Sequence, residues 1–346
     1  MRQAWKRGFG GVALGGSQEP VISSTRTGTT SLLWKTRVQK DLLDEAARKA
    51  AEKAVVANLP PFLVKKSPQE SHVSVELSFA SNPSMRDAYA SWMPGSVRIG
   101  KILEDLDALA GNIAHSHADD NNPLTRPLHI VTACVDRVDI LRPFRLDVDL
   151  TMFGNVSYVG RSSMHIHVAV AEKEAPENQI LTSSFLMVAR DATTGKSAPV
   201  NHLEVVTDEE KMQWLHGEQA KDIREQERAL SIANSLPTGD ELLPVHQIYY
   251  PNEKEVSVMD SSRVPVKETV LSSVSITQPQ ERNTKDSIFG GYLMRKAYEL
   301  GMAVALKFCG AMSRPLLLAV DEITFHRPVE IGSIISFTAS VVFSTK

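Results

Sequence analysis

The alternation of apolar and polar residues predicts helices and strands along this chain. Residues 40–57 carry Ala, Glu and Lys at a spacing typical of a helix. A longer helix is predicted near 100–116, where six apolar residues share one stripe: Ile102, Leu103, Leu106, Leu109, Ala110 and Ile113. Five segments are rich in β-formers or alternate as strands do: 72–79, 129–141, 145–159, 162–172 and 180–190. A long helix followed by consecutive strands predicts an α+β fold, with an antiparallel sheet wrapped on the helix.

The pattern then changes and begins again. Residues 207–233 form a charged helical stretch, and a Pro-rich loop follows it, so 193–266 is interpreted as a connector with a solvated helix face. Strand patterns return at 270–277, 316–325 and 333–343, and an apolar helix begins at Gly290.

Two segments share one plan: a Gly that enters an apolar helix, then Val-Asp on a strand, then Arg-Pro. The Val-Asp and Arg-Pro pairs recur at the same separation. Each copy lacks a polar group that the other has, because acidic residues stand in the first helix and an Asn precedes the second. We therefore expect one site assembled across two modules. The landmarks are Gly100, Val135-Asp136 and Arg142-Pro143 in the first copy, and Gly290-Gly291, Val320-Asp321 and Arg327-Pro328 in the second.

The predicted organisation has four parts. Residues 1–38 form a disordered or transit segment, 39–192 the first module with its N-terminal helix, 193–266 the connector and 267–346 the second module. The second module has about two strands fewer than the first, so it is expected to be incomplete at its C-terminal end and to expose a strand edge.

Composition describes a folded chain and limits its partners. The 346 residues are 42% hydrophobic and 23% charged, with a formal net charge of −3, which gives no indication of nucleic-acid binding. No apolar run approaches the ~20 residues of a membrane span. The two cysteines, Cys134 and Cys309, are far apart, which fits a reducing compartment. The Arg-bearing, acid-poor start and the Ser/Thr-rich residues after it are typical of a mitochondrial transit segment, although a plain disordered tail has the same composition.

The first helix offers the candidate acid. Asp105 and Asp107 flank opposite edges of the apolar stripe, where partial desolvation raises a carboxyl pKa and its basicity. Periodicity does not choose between them, and both are also explained as ordinary acids near a helix N-terminus.

The second helix offers hydrogen-bond donors. Gly290 and Gly291 let a ligand approach free N–H groups at the positive end of the helix dipole, where a developing oxyanion is stabilised. Asn283 can add a donor or position a water. Close helix packing and a simple loop Asn are the alternative explanations.

Metal and other catalytic motifs are not indicated. His165 and His167 alternate on one strand without a completing carboxylate or Cys cluster, so a polar strand face is favoured over a metal site. The sequence has no GxSxG elbow, Walker-type loop or GxGxxG motif.

The stretch from Asn283 to Gly291 resembles the hotdog-fold acyl-CoA thioesterase motif, in which Asn stands seven residues before a Gly-Gly pair. That family carries a catalytic acid seven residues past the second Gly. Counted from Gly100, this position is Asp107; counted from Gly291, it is Tyr298. The first-module position corresponding to Asn283 is Trp92. The order of motifs is similar to that of the mitochondrial double-hotdog group, from about residue 70 onward.

The resemblance implies two tandem hotdog modules in one chain, with a catalytic site between them. Asp107 would act as general base or attack the thioester directly, and Asn283 with the Gly290 and Gly291 backbone would hold the carbonyl. The expected activity is hydrolysis of acyl-CoA to CoA and a carboxylic acid in the mitochondrial matrix. No cofactor is expected beyond the CoA of the substrate, and hotdog sheets commonly pair further into homo-oligomers.

Two alternatives remain. The incomplete second module is compatible with an acyl-CoA-binding protein that has no activity. A hotdog hydratase is disfavoured, because no Asp-His arrangement stands at the matching loop. The other pocket, with Trp92 and Tyr298, is expected to be inactive or regulatory.

Overall fold

A computed structural model describes residues 26–52, 63–125, 127–230, 238–249, 264–284, 287–310 and 313–344. The helices are α1 (Gly28–Glu52), α2 (Pro83–Tyr89), α3 (Ile99–Ala118), α4 (Asp208–Leu230), α5 (Gly239–Tyr249), α6 (Val266–Thr269) and α7 (Gly290–Cys309). The first-module strands are β1 (Lys65–Lys66), β2 (Val73–Leu77), β3 (Leu128–Ile140), β4 (Leu150–Val159), β5 (Ser163–Glu172) and β6 (Ala175–Asp191). The remaining strands are β7 (His202–Leu203), β8 (Leu271–Ile276), β9 (Ala319–Val320), β10 (Ile323–Thr324) and β11 (Ile334–Ala339).

The first module is an antiparallel sheet packed on one long helix, as the alternation of its residues predicts. This is the hotdog architecture that the family resemblance implies. Its antiparallel sheet has the order β2-β4-β5-β6-β3, and α3 lies against it. The apolar stripe of α3 is fully covered: Ile102, Leu106, Leu109 and Ile113 are buried. Burying a large aliphatic side chain stabilises the fold by ~1.5–3 kcal/mol, so this stripe fixes the helix on the sheet.

The second module continues the same sheet. Its short strands β9 and β10 both pair with β3, opposite the edge that β6 occupies. The helix α7 packs along α3, and β8 and β11 form an antiparallel pair beside it. Within the described residues, the second edge of β11 has no partner strand. In place of the predicted strand 316–325, the structure has two short strands, β9 and β10, which hydrogen-bond to β3 of the first module.

The connector helix α4 packs on β4, on the face of the sheet opposite α3. Arg224 of α4 donates to Asp136 Oδ1 over 2.6 Å, and its guanidinium lies 2.6 Å from His165 Nε2. Trp214 packs against Tyr158, and Gly217 lets the helix approach that ring closely. His165 is therefore part of the contact that holds the connector on the sheet.

The N-terminal helix differs from its prediction. It begins at Gly28 rather than at residue 40, so residues 28–38 are helical instead of belonging to a disordered segment. Leu33 and Trp34 are buried against the rest of the protein, which explains why this part is ordered. Residues 1–25 of the predicted transit segment lie outside the described part of the chain.

Candidate active site

A cavity of about 420 Å³ lies where the two modules meet. The first module contributes α3 and the start of β3, and the second contributes the loop before α7, the first turn of that helix and the segment after β10. The predicted site residues Asp107, Asn283 and Gly290 all line this cavity. Arg190 and Arg327 also line it.

The Asp107 carboxylate faces the N-terminus of α7. Its Oδ1 accepts a hydrogen bond from Thr132 Oγ1 at 2.7 Å, and its Oδ2 accepts one from the backbone N–H of Gly291, also at 2.7 Å. The first donor belongs to the first module and the second to the other module. The carboxylate is therefore held at the module boundary by both.

The environment of Asp107 makes it a stronger base than an ordinary carboxylate. The side chain is almost fully buried, and this desolvation raises its pKa from 3.8 to about 6. The hydrogen bonds from Thr132 and Gly291 favour the charged form and oppose the shift. With a pKa near 6, the group is mostly ionised at neutral pH and still accepts a proton readily.

The Gly-Gly pair is required by the closeness of the two helices. A Cβ on Gly290 would lie 2.9 Å from Asp107 Oδ2, and a Cβ on Gly291 would lie 2.8 Å from the Glu104 backbone oxygen. Such distances are shorter than carbon atoms normally tolerate, so glycine allows α7 to begin directly beside α3. The first N–H groups of a helix have no acceptor within the helix. The Gly291 amide donates to Asp107, whereas no described residue accepts from the Gly290 amide.

Asn283 lies on the loop that leads into α7. Its backbone N–H donates to Ser287 O at 2.6 Å, and its Oδ1 accepts from Ser287 N–H at 3.2 Å. These contacts hold Asn283 and Ser287 together beside the cavity. The NH₂ group is the part of the Asn283 side chain that can donate to a carbonyl.

The structure separates the two candidate acids of α3. Asp105 is fully buried outside the cavity and accepts hydrogen bonds from Thr27, Thr30 and Tyr89. It therefore anchors α1 and α2 to α3. Asp107 is the aspartate of this helix that lines the cavity.

Glu104, which precedes Asp105 on α3, is also buried. It forms an ion pair with Arg295 of α7, with 2.6 Å between Oε2 and Nη1. Burial raises the pKa of Glu104 to about 7, and the nearby Arg295 charge opposes this shift. The pair joins the facing sides of α3 and α7 one turn from the site.

Thr132 is a site residue that the sequence did not reveal. Cys134 stands on the same strand, directly before Val135-Asp136. The β3–β6 pairing has a register shift between Thr132 and Cys134. Thr132 reaches Asp107, while the Cys134 thiol lies near Asp136 and Glu322. A bulge of this kind redirects side chains along a strand and leaves no mark in simple alternation.

A second cavity of about 710 Å³ lies at the equivalent place of the repeat. It is lined by Trp92, Arg142 and Tyr298, and its walls are mostly apolar. Tyr298 thus occupies the position of Asp107, and Trp92 that of Asn283, as the repeat predicts.

No group of three His, Cys, Asp or Glu residues within the described ranges could hold a metal ion. Among the helices that the structure describes, none has the length and apolar character to cross a membrane.

Comparison with known proteins identifies the family of the chain. The family model "Thioesterase superfamily" matches residues 98–176 and 286–346, which contain α3 and α7. The chain is 36% identical over 293 residues to "Acyl-coenzyme A thioesterase 4, mitochondrial" of Humulus lupulus, covering 82% of this chain and 54% of that protein. It is 36% identical over 294 residues to "Acyl-coenzyme A thioesterase 9, mitochondrial" of Bos taurus, covering 83% of this chain and 66% of that protein. The chain thus spans between about half and two thirds of the length of these relatives.

A solved apo-hexameric acyl-CoA thioesterase is similar in structure. Its TM-score is 0.41 at 26% identity, and the match covers 49% of this chain and 100% of that one.

Proposed function

Because this chain belongs to the thioesterase superfamily, we propose that it hydrolyses acyl-CoA thioesters to free CoA and a carboxylic acid. The observation that carries this proposal is the buried Asp107 carboxylate, which faces the N-terminus of α7 across the module boundary. One chain would then contain one complete site, made of an acid from the first module and amide donors from the second.

Asp107 is proposed to start the reaction. It either removes a proton from a water that attacks the thioester carbon, or attacks that carbon itself. In both cases, the carbonyl oxygen gains negative charge while the tetrahedral intermediate forms. Breakage of the C–S bond then releases CoA, whose thiolate takes up a proton to leave as the free thiol. On the general-base route the acyl group is already bonded to the water oxygen and leaves as the carboxylic acid. On the direct-attack route a mixed anhydride remains on Asp107, and water hydrolyses it to the carboxylic acid and the free Asp107 carboxylate. General-base assistance of this kind is typically worth ~10²–10⁴-fold in rate.

The donors for the thioester oxygen are proposed to be the Gly290 amide and the Asn283 side chain. The Gly291 amide donates to Asp107 at 2.7 Å, so its role is to hold the catalytic carboxylate and limit its basicity. The Gly290 amide is at the first position of α7, where the helix dipole favours negative charge. Removing one such donor typically costs ~10²–10³-fold in kcat.

The substrate supplies CoA, and the proposed reaction needs no further cofactor or metal. The proposed location is mitochondrial, in the matrix, supported by the mitochondrial names of the relatives and the Arg-bearing, acid-poor N-terminus. Self-association into a homo-oligomer stays a prediction, which light scattering on the purified chain would check.

The test of the proposed function is release of free thiol from acyl-CoAs of several chain lengths by the purified chain. We expect turnover with at least one length. Binding of acyl-CoA without thiol release at any length would instead support the non-catalytic alternative. The names of the relatives favour hydrolysis over binding alone.

A further inference from the structure

The start of α1 is hydrogen-bonded to α3, the helix that carries Asp107. Thr27 and Thr30 donate hydrogen bonds to Asp105 of α3, two residues from Asp107. One turn later, Asn112 Nδ2 donates to the backbone oxygen of Leu33 at 2.9 Å. These contacts fix α1 along α3, so that the side chains that follow on the same face are directed at the site.

Trp34 extends this contact to the second module. Its ring packs edge-on against Phe289, with 4.8 Å between ring centroids, and Phe289 directly precedes the Gly-Gly pair. The Arg26 guanidinium lies 4.1 Å from the Trp34 ring centroid and donates to the backbone oxygen of Arg282. Trp34 also lines the catalytic cavity. The start of α1 is thus a wall of that cavity and touches the loop that carries Asn283.

Arg37 follows Trp34 by three residues, so it lies on the same face of α1. It lines the cavity together with Asp107, and its Nη1 is 3.8 Å from where a Cβ of Gly111 would be. Gly111 is one turn beyond Asp107 on α3. The guanidinium therefore lies against α3 beside Gly111. A side chain at position 111 would narrow the space that the guanidinium occupies.

One buried N–H group of the Arg37 guanidinium, that of Nε, lacks a hydrogen-bond acceptor among the described residues. Burial lowers the pKa of Arg37 to about 10, against an opposing influence of Asp41 on the same helix. The group is still charged at neutral pH, and a buried N–H group that has no acceptor is costly to leave unpaired.

We propose that α1 is a substrate-binding element and that Arg37 binds an anionic oxygen of a CoA phosphate group. This inference rests on the proposed function. Guanidinium groups are suited to phosphate because their N–H donors match its geometry. Three arginines line the cavity, Arg37, Arg190 and Arg327, against two aspartates, Asp107 and Asp191. This excess of positive charge suits a phosphorylated ligand better than a neutral one.

The test uses Arg37→Gln in the full chain, with Lys35→Gln as a matched control. Lys35 is an exposed cation on the same helix and lines none of the cavities described. We expect Arg37→Gln to raise KM for acyl-CoA about tenfold, equivalent to ~1.4 kcal/mol, while kcat changes little. KM for the matching S-acyl-pantetheine, which has no phosphate, should be unchanged. Arg37→Lys should restore part of the affinity, and Lys35→Gln should behave as wild type.

An equal rise in KM for acyl-CoA and for S-acyl-pantetheine would overturn the inference. An unchanged KM for acyl-CoA would overturn it as well. A second arm measures binding of CoA and of the product carboxylate by calorimetry. Weaker CoA binding in Arg37→Gln supports the phosphate assignment, whereas weaker binding of the carboxylate alone contradicts it. CoA is not hydrolysed, so this arm tests Arg37 even if the wild-type chain releases no thiol, a result that would reject the proposed activity instead.

Discussion

Both oxygens of the Asp107 carboxylate accept a hydrogen bond, one from a side chain of its own module and one from the backbone of the other. Desolvation alone would raise the pKa of this group further than about 6, and the two donors restrain it. The proposed base is therefore tuned by groups that are not themselves expected to touch the substrate.

Thr132 is expected to act as a positioning residue for Asp107. Thr132→Val keeps the shape of the side chain but removes the donor to Oδ1. A hydrogen bond to a charged group is worth ~1.5–3 kcal/mol, so the kinetic pKa should rise by about one unit or more. The pH profile of kcat/KM measures this rise, and Thr132→Ser should keep the wild-type midpoint. A profile that does not move in Thr132→Val would show that this contact does not tune the base.

The activity itself should depend on the ionisation of Asp107. Because the ionised form is the base, kcat/KM should fall about tenfold per pH unit below the pKa of about 6. The stability effect has the opposite sense: the native state retains a proton that the unfolded chain has lost between pH 4 and 6. The contribution of this group to the free energy of unfolding therefore decreases as pH rises through that window.

Denaturant unfolding of wild type and Asp107→Asn across pH 4–7 checks this sign. The difference in unfolding free energy should shift in favour of Asp107→Asn as pH rises. A shift in the other direction would mean that the folded protein stabilises the charged carboxylate.

At the scale of elements, α1 is the main addition to what the sequence predicts. Leu33 and Trp34 in its first turns are buried against the rest of the protein. The hydroxyl groups of Thr27 and Thr30 donate hydrogen bonds to the buried Asp105. A leader that is removed on import must therefore end before Arg26 if these contacts are to persist.

Two shortened chains test the role of α1. A chain that starts at Arg26 should keep the melting temperature and turnover of the full chain. A chain that starts at Gln39 loses two hydrogen-bond donors to a buried carboxylate, at ~1–3 kcal/mol each, and the packing of Trp34. It should melt lower and lose turnover. Equal melting temperatures and turnover of the two chains would show that the start of α1 is dispensable.

At the scale of the whole molecule, the repeat produces two equivalent cavities with different chemistry. One contains Asp107, Asn283 and the glycine amides; the other contains Tyr298 and Trp92. The offset between the copies was readable because Gly, Val-Asp and Arg-Pro recur in order. The resemblance to hotdog thioesterases implied that Asp107 and the Gly290-Gly291 backbone share one site, and the structure places the Asp107 carboxylate against the Gly291 amide. Local pattern alone does not reveal this long-range contact.

Other features could not be read from the sequence for identifiable reasons. A bulge in β3 brings Thr132, not Cys134, to the site, and bulges are invisible in strand alternation. The early start of α1 depends on tertiary contacts of Thr27, Thr30 and Trp34 rather than on helix propensity. Glu104 is buried because Arg295 of the other module pairs with it. In each case, a partner distant in the chain decides the outcome.

The most direct measurement is thiol release by Asp107→Asn beside Tyr298→Phe, which changes the equivalent position of the other cavity. Asp107→Asn should lower kcat by ~10²–10⁴-fold with CoA binding and melting temperature retained, and Tyr298→Phe should leave turnover near wild type. Near-normal turnover in Asp107→Asn, or an equal loss in Tyr298→Phe, would contradict a catalytic carboxylate at the module boundary.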